Sequence, residues 1–132
     1  MEKGIIKIQS NYGVKETIDR LISELEKKGM HIFLRIDHKV NAVKIGIDIK
    51  PAELVIFGKP QIGIALIREN PDVALDLPMK ALAWEDAKGY VWLTYNDPVY
   101  IAYRHDLTDI SMATISKMSE MLSTTSRYAT GK

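Results

Sequence analysis

Asp37 and His38 stand side by side where a predicted strand ends. A carboxylate next to an imidazole can orient a general base or tune its pKa. Neighbours on an extended strand point to opposite faces, so the pair serves equally well to cap the segment that follows. Phe57-Gly58-Lys59-Pro60-Gln61-Ile62-Gly63 reads as a strand-to-helix junction. Backbone amides at such a junction can hold an anion, and Lys59 adds a charge. The pattern is not a GxxxxGK[ST] phosphate loop. The plainer reading is that Gly58 permits a tight turn and Gly63 permits close helix packing. Tyr95-Asn96-Asp97-Pro98 puts three polar groups at the end of the last strand, where they line a cleft or form an Asx-type turn before Pro98. Glu85-Asp86 falls at a predicted hairpin tip, where paired carboxylates are usually solvated.

His31, His38 and His105 are the only histidines, and no two have the spacing that places a pair of metal ligands on one face. No tight metal and no cofactor is therefore expected. Cysteine is absent, which removes thiol catalysis, thiolate metal sites and disulfides together. No Ser-centred elbow is present.

These groups need a scaffold, and the periodicities supply one. Gly4–Ser10 alternates as a short strand. Val14, Ile18, Leu21, Ile22 and Leu25 follow helical spacing up to Gly29, which suits a left-handed stop. Met30–Asp37 is a second strand, expected to turn Ile32, Leu34 and Ile36 toward the helices and Phe33 and Arg35 away. His38–Gly46 reads as a short helix or an irregular crossing. Glu53–Gly58 is apolar on both faces, as in a buried strand. Pro60 opens a helix to about Asn70, and Asp72–Leu77 adds a helical turn. Met79–Asp86 and Tyr90–Asn96 form a hairpin around Ala87-Lys88-Gly89. Val99–Arg104 is helical. A last helix starts after Thr108 and ends near Ser123, leaving 123–132 as a polar C-terminal tail of a single domain. The order favours an α+β fold with two layers, a mostly antiparallel sheet carrying helices on one face. Its other face bears Phe33, Trp92 and Trp84, too aromatic for water alone, so a segment of this chain, a second subunit or a ligand is expected to cover it.

The 132 residues suit one domain with a core of its own. The net charge is +1, with no basic stripe of the kind that neutralises several phosphates, so no nucleic-acid partner is expected. The longest aliphatic run, Ile62–Ile67, is six residues, far short of the roughly 20 that span a membrane. No signal peptide is visible, and a cytoplasmic location is expected.

Several of these segments together resemble one family. Ile36-Asp37-His38, Leu54-Val55-Ile56-Phe57-Gly58-Lys59-Pro60, Ala74-Leu75-Asp76-Leu77-Pro78, Trp84-Glu85-Asp86 and Val91-Trp92-Leu93-Thr94-Tyr95-Asn96-Asp97-Pro98 occur in the order found in domain-of-unknown-function family 302. The resemblance covers about residues 5–122. It implies a TATA-binding-protein-like fold, β-α-β4-α, and a homodimer, and it carries no established activity. Asp37, His38, Tyr95 and Asp97 match the family's pattern. Lys59 replaces its usual Asn, and Ile64 its usual Thr. The function expected is that of a homodimeric domain binding a small, possibly anionic molecule through Asp37, His38, Lys59, Tyr95 and Asp97, gathered in one pocket. The alternative is an enzyme using His38 as general acid or base with Asp37 or Asp97.

Overall fold

A computed structural model describes residues 3–132. The chain runs β1 (Ile5–Ser10), α1 (Val14–Lys27), β2 (His31–Asp37), α2 (His38–Lys44), β3 (Ala52–Gly58) and α3 (Pro60–Glu69). A 3-10 segment follows (Pro71–Asp76), then β4 (Met79–Glu85), β5 (Val91–Asn96), α4 (Pro98–Arg104) and α5 (Asp109–Thr130). The five strands form one antiparallel sheet in the order β1-β5-β4-β3-β2. Helices α1 and α5 pack on each other and on one face of the sheet. The fold is the two-layer α+β arrangement that the hairpin and the flanking helices call for.

The core lies between the layers. Ile18, Leu21 and Leu25 of α1 meet Val55 and Phe57 of β3, Ala83 of β4, Leu93 of β5, and Ile115, Met118 and Leu122 of α5. The small alanines Ala81 and Ala83 let the helices approach the middle of the sheet.

Two expectations are corrected. The expected alternation of β2 breaks at Phe33, where the pairing with β3 slips between Ile32 and Leu34. A bulge inserts one residue and inverts the side-chain parity after it. Ile32 keeps its place opposite Phe57, on the helix side. Leu34 and Ile36 turn outward opposite Ile56 and Leu54, and Arg35 turns to the helix side opposite Val55. There Arg35 donates from Nη1 to Asp19 of α1 and from Nε to Glu53, both at 2.7 Å.

The second correction concerns the C-terminus. Instead of a tail from residue 123, α5 continues to Thr130 and stops at Gly131, which takes a φ of 78°. Thr125, Ser126, Ala129 and Thr130 are buried. The hydroxyls of Thr125 and Thr130 donate to the carbonyls of Met121 and Ser126 at 2.8 Å, so these two threonines enter the core with their hydroxyls satisfied, whereas the buried Ser126 hydroxyl has no partner among the described residues.

The outer face carries Trp84 and Trp92, paired across β4 and β5. Lys7 of β1 holds its ammonium 5.1 Å and 4.8 Å from the two indole rings. Trp92 Nε1 donates to Asp86 at 2.9 Å. A segment of this chain therefore partly covers the tryptophans, which are half-buried.

Candidate functional site

Antiparallel pairing fixes where each candidate stands. Asp37 is opposite Glu53, and His31 is opposite Gly58. From Glu53 to Gly58 is five residues, about 17 Å of strand at roughly 3.3 Å each. The Asp37-His38 corner and Lys59 thus occupy opposite ends of the sheet. Tyr95 lies between them, opposite Ala81 on the helix-facing side, and is buried. Asp97 follows β5 at the Lys59 end, two strands away from it. The five candidates do not share one pocket.

Their local roles follow from that placement. Asp37 is the N-cap of α2 and accepts from Val40 N at 2.9 Å. The exposed His38 begins that helix. Asp97 caps α4, accepting from Val99 N at 3.0 Å, and Pro98 supplies the first helical residue. Burial pushes the Tyr95 phenol above its usual range, and the charge of Asp97 pushes the same way.

Lys59 differs from the other four. It is the N-cap of α3 and lines a cavity of about 340 Å³ between that helix, the 3-10 segment and the ends of β3 and β4. Phe33, half exposed at the bulge, stands at one side. Ile62, Ile67, Leu77 and Met79 supply apolar wall. Lys59 is the one charged residue among the lining, and among the described residues it enters no ion pair.

Two glycines shape this cavity, for reasons other than those the sequence suggested. A Cβ on Gly58 would lie 3.3 Å from Phe33 Cε2 and 3.5 Å from Pro78 Cβ, so Gly58 permits a close approach of side chains. A Cβ on Gly63 would meet only Leu77 Cδ1, at 3.8 Å, among described atoms outside its own helix. That is ordinary contact, so close helix packing does not require glycine there.

A second group was not legible in the sequence. The buried His105 ring nitrogen Nε2 contacts Asp76 Oδ2, and Arg104 Nη1 reaches both oxygens of that carboxylate. Asn70 Nδ2 donates to the His105 carbonyl at 2.7 Å. The group ties the 3-10 segment to the α4–α5 corner. Among the described residues, no cluster of three His, Asp or Glu side chains is arranged to hold a metal ion.

Known proteins provide a comparison for this geometry. Residues 6–125 match the family described as Domain of unknown function DUF302. A crystal structure described as an uncharacterized conserved protein DUF302 from Bacillus stearothermophilus is similar with a TM-score of 0.84. It is 17% identical, and the match covers 96% of this chain and 98% of that one, which shows the shared fold alone. Among curated proteins, a "Fluoride-specific ion channel FluC 1" of Brucella suis biovar 1 is 41% identical over 131 residues. That match takes in 99% of this chain and 52% of the relative. A "Fluoride-specific ion channel FluC 2" of Brucella melitensis biotype 1 is also 41% identical, with 48% of its length matched. The chain spans about half the length of the curated relatives it matches.

Proposed function

The chain belongs to the DUF302 family, and from that premise we propose that it is a homodimeric domain that binds a small molecule, anionic at one end, in the cavity beside Lys59. The observation that carries this reading is a cavity of about 340 Å³ with apolar walls and a single cation. Ligand sites of this kind are concave and largely apolar, with few polar groups fixing orientation. The reading of His38 as a general acid or base has less behind it. Asp37 is turned to Val40 N, and Asp97 stands at the far end of the sheet. A heteronuclear NMR screen of anionic and neutral metabolites tests the proposal. Saturable shifts at Lys59, Ile62 and Leu77 are expected. Shifts confined to His38 and its neighbours would move the site to the other end.

The dimer rests on the apolar surface around the edge strand β2. Phe33 and Leu34 are 50% and 52% exposed, and Val43, Ile45 and Ile47 just beyond are 60%, 73% and 53% exposed. Patches of this kind mark interaction surfaces. The monomer has a mass of 14.9 kDa. Light scattering that reports this mass at all concentrations would refute the dimer.

The relatives' name suggests a setting. Among the described residues, no helix is long and apolar enough to cross a membrane. In our reading the matched half of such a channel is a ligand-binding attachment, and conduction belongs to the remainder. Titration of this domain with sodium fluoride is the discriminating control. A saturable rise in Tm at low millimolar fluoride would place the ion on this domain instead.

A further inference from the structure

Resting on that reading, we infer that the cavity takes an apolar monocarboxylate of about ten heavy atoms, with its head at Lys59 and its tail against Ile62, Ile67 and Leu77, and that Gly63 is kept small to leave the tail room. The size follows from the volume: 340 Å³ corresponds to roughly eleven groups of about 30 Å³, the share of one water in the liquid.

The charge follows from the lining. With Lys59 as the one charged residue of the lining and apolar walls beyond it, a monoanion is matched. A dianion would bring a second charge into apolar surroundings without a partner. The ammonium lies close to Gly29. Lys59 Nζ lies 3.4 Å from where a Cβ on Gly29 would stand. Gly29 follows the C-terminus of α1, where the helix dipole favours a cation. Gly29 itself has a φ of 79°, so a side chain there would be strained.

Gly63 gives independent support. It sits inside α3, where glycine is a poorer helix former than alanine. Its backbone needs no left-handed conformation, and a Cβ would meet no crowded neighbour. Neither its backbone conformation nor a close neighbour among the described residues requires glycine at this position. The open space its missing side chain leaves belongs to the cavity it lines.

The test is calorimetric titration of the full chain with octanoate, 1-octanol and acetate, repeated on Lys59→Met, Lys59→Arg and Gly63→Leu. Octanoate should bind saturably, 1-octanol at least about tenfold more weakly, and acetate not measurably. Lys59→Met should bring octanoate down to the level of octanol, and Lys59→Arg should retain binding. Gly63→Leu should abolish binding of both alkyl ligands while the Tm stays equal or rises. Equal affinity for octanol and octanoate would overturn the carboxylate while leaving the cavity as a binding site. Failure of every alkyl probe to bind folded protein would overturn both readings. Octanoate binding unchanged in Lys59→Met and Gly63→Leu would show adsorption on the exposed aliphatic surface and overturn the assignment.

Discussion

Asp76 and His105 are 29 residues apart in sequence and in hydrogen-bond contact in space, Oδ2 against Nε2. Asp76 ends the 3-10 segment, and His105 follows α4. Together they fasten one wall of the cavity to the helical layer. The His105 ring is 7% exposed, so removing its partner leaves a buried polar group unpaired. Asp76→Ala should therefore cost about 1.5–3 kcal/mol, read from the urea midpoint at constant m. A cost under about 0.5 kcal/mol would show that the wall holds without the pair.

Arg35 joins three elements, since β2 carries it, α1 provides Asp19 and β3 provides Glu53. Glu53 is buried, and without Arg35 its carboxylate loses its cation. Arg35 remains partly exposed, so Arg35→Ala should cost about 2 kcal/mol, less than the 3–5 typical of fully buried pairs. Arg35→Met with Glu53→Met should recover much of that loss. A double variant as unstable as the single one would mean that packing of the Arg35 stem dominates.

Three carboxylates link stability to pH. Asp19 is held below its ordinary 3.8 by the Lys15 ammonium and then Arg35. Glu69 is held below 4.5 by the hydroxyls of Ser111 and Thr108. Asp86 is held below 3.8 by the Trp92 indole N–H, with Tyr90 N and Lys88 N adding to it. A folded pKa below the unfolded one means that the unfolded chain binds the proton more tightly. The stability these groups add is present above about pH 4.5 and lost as pH falls through their folded values. Glu69→Gln should flatten the fall of unfolding free energy below that pH, measured by denaturation at stepped pH. An unchanged slope would refute its share.

Truncation after Ser123 should cost several kcal/mol or abolish cooperative unfolding. It removes four buried residues, Thr125, Ser126, Ala129 and Thr130. It also removes the bond from Asn11 N to the Thr130 carbonyl at 2.8 Å. A truncated chain melting within a few degrees of the full one would restore the reading of this stretch as a dispensable tail.

The strands, the hairpin and α1 were legible because periodicity and turn residues are local signals. Val91, Leu93 and Tyr95 face the helices as their parity requires. The second half of β2 was not legible, because nothing in His31–Asp37 announces the slip at Phe33. The slip depends on how β3 pairs with it. The end of α5 misled through composition. Ser and Thr read as solvated, yet the hydroxyls of Thr125 and Thr130 bond back to the helix and the small side chains suit the core. The single pocket failed for a geometric reason. Asp37 and Lys59 both end elements next to each other in the sheet, but antiparallel strands put those ends on opposite sides. Lys59 with Gly58 and Gly63 was visible as a junction. The wall from Leu77 and Met79, and the Asp76–His105 contact, needed the chain to be closed.

The course of the sheet also decides how this unit can be tethered. β1 begins level with Asn96, at the end where Lys59 and the cavity lie, and finishes level with Val91 at the other. The close of α5 is stitched to that second end through Asn11, whose side chain donates to the Gly131 carbonyl and accepts from Lys132 Nζ. Gly4 and Lys132 therefore lie toward opposite poles of the sheet, about 17 Å apart at roughly 3.4 Å per residue over the five steps of β1, and Gly4 shares the cavity's pole but stands three strands away from β3, which leads into Lys59. Ligand occupancy would have to cross the width of the sheet to reach a neighbour at the Gly4 pole. It would have to pass along the length of the sheet as well to reach a neighbour at the Lys132 pole.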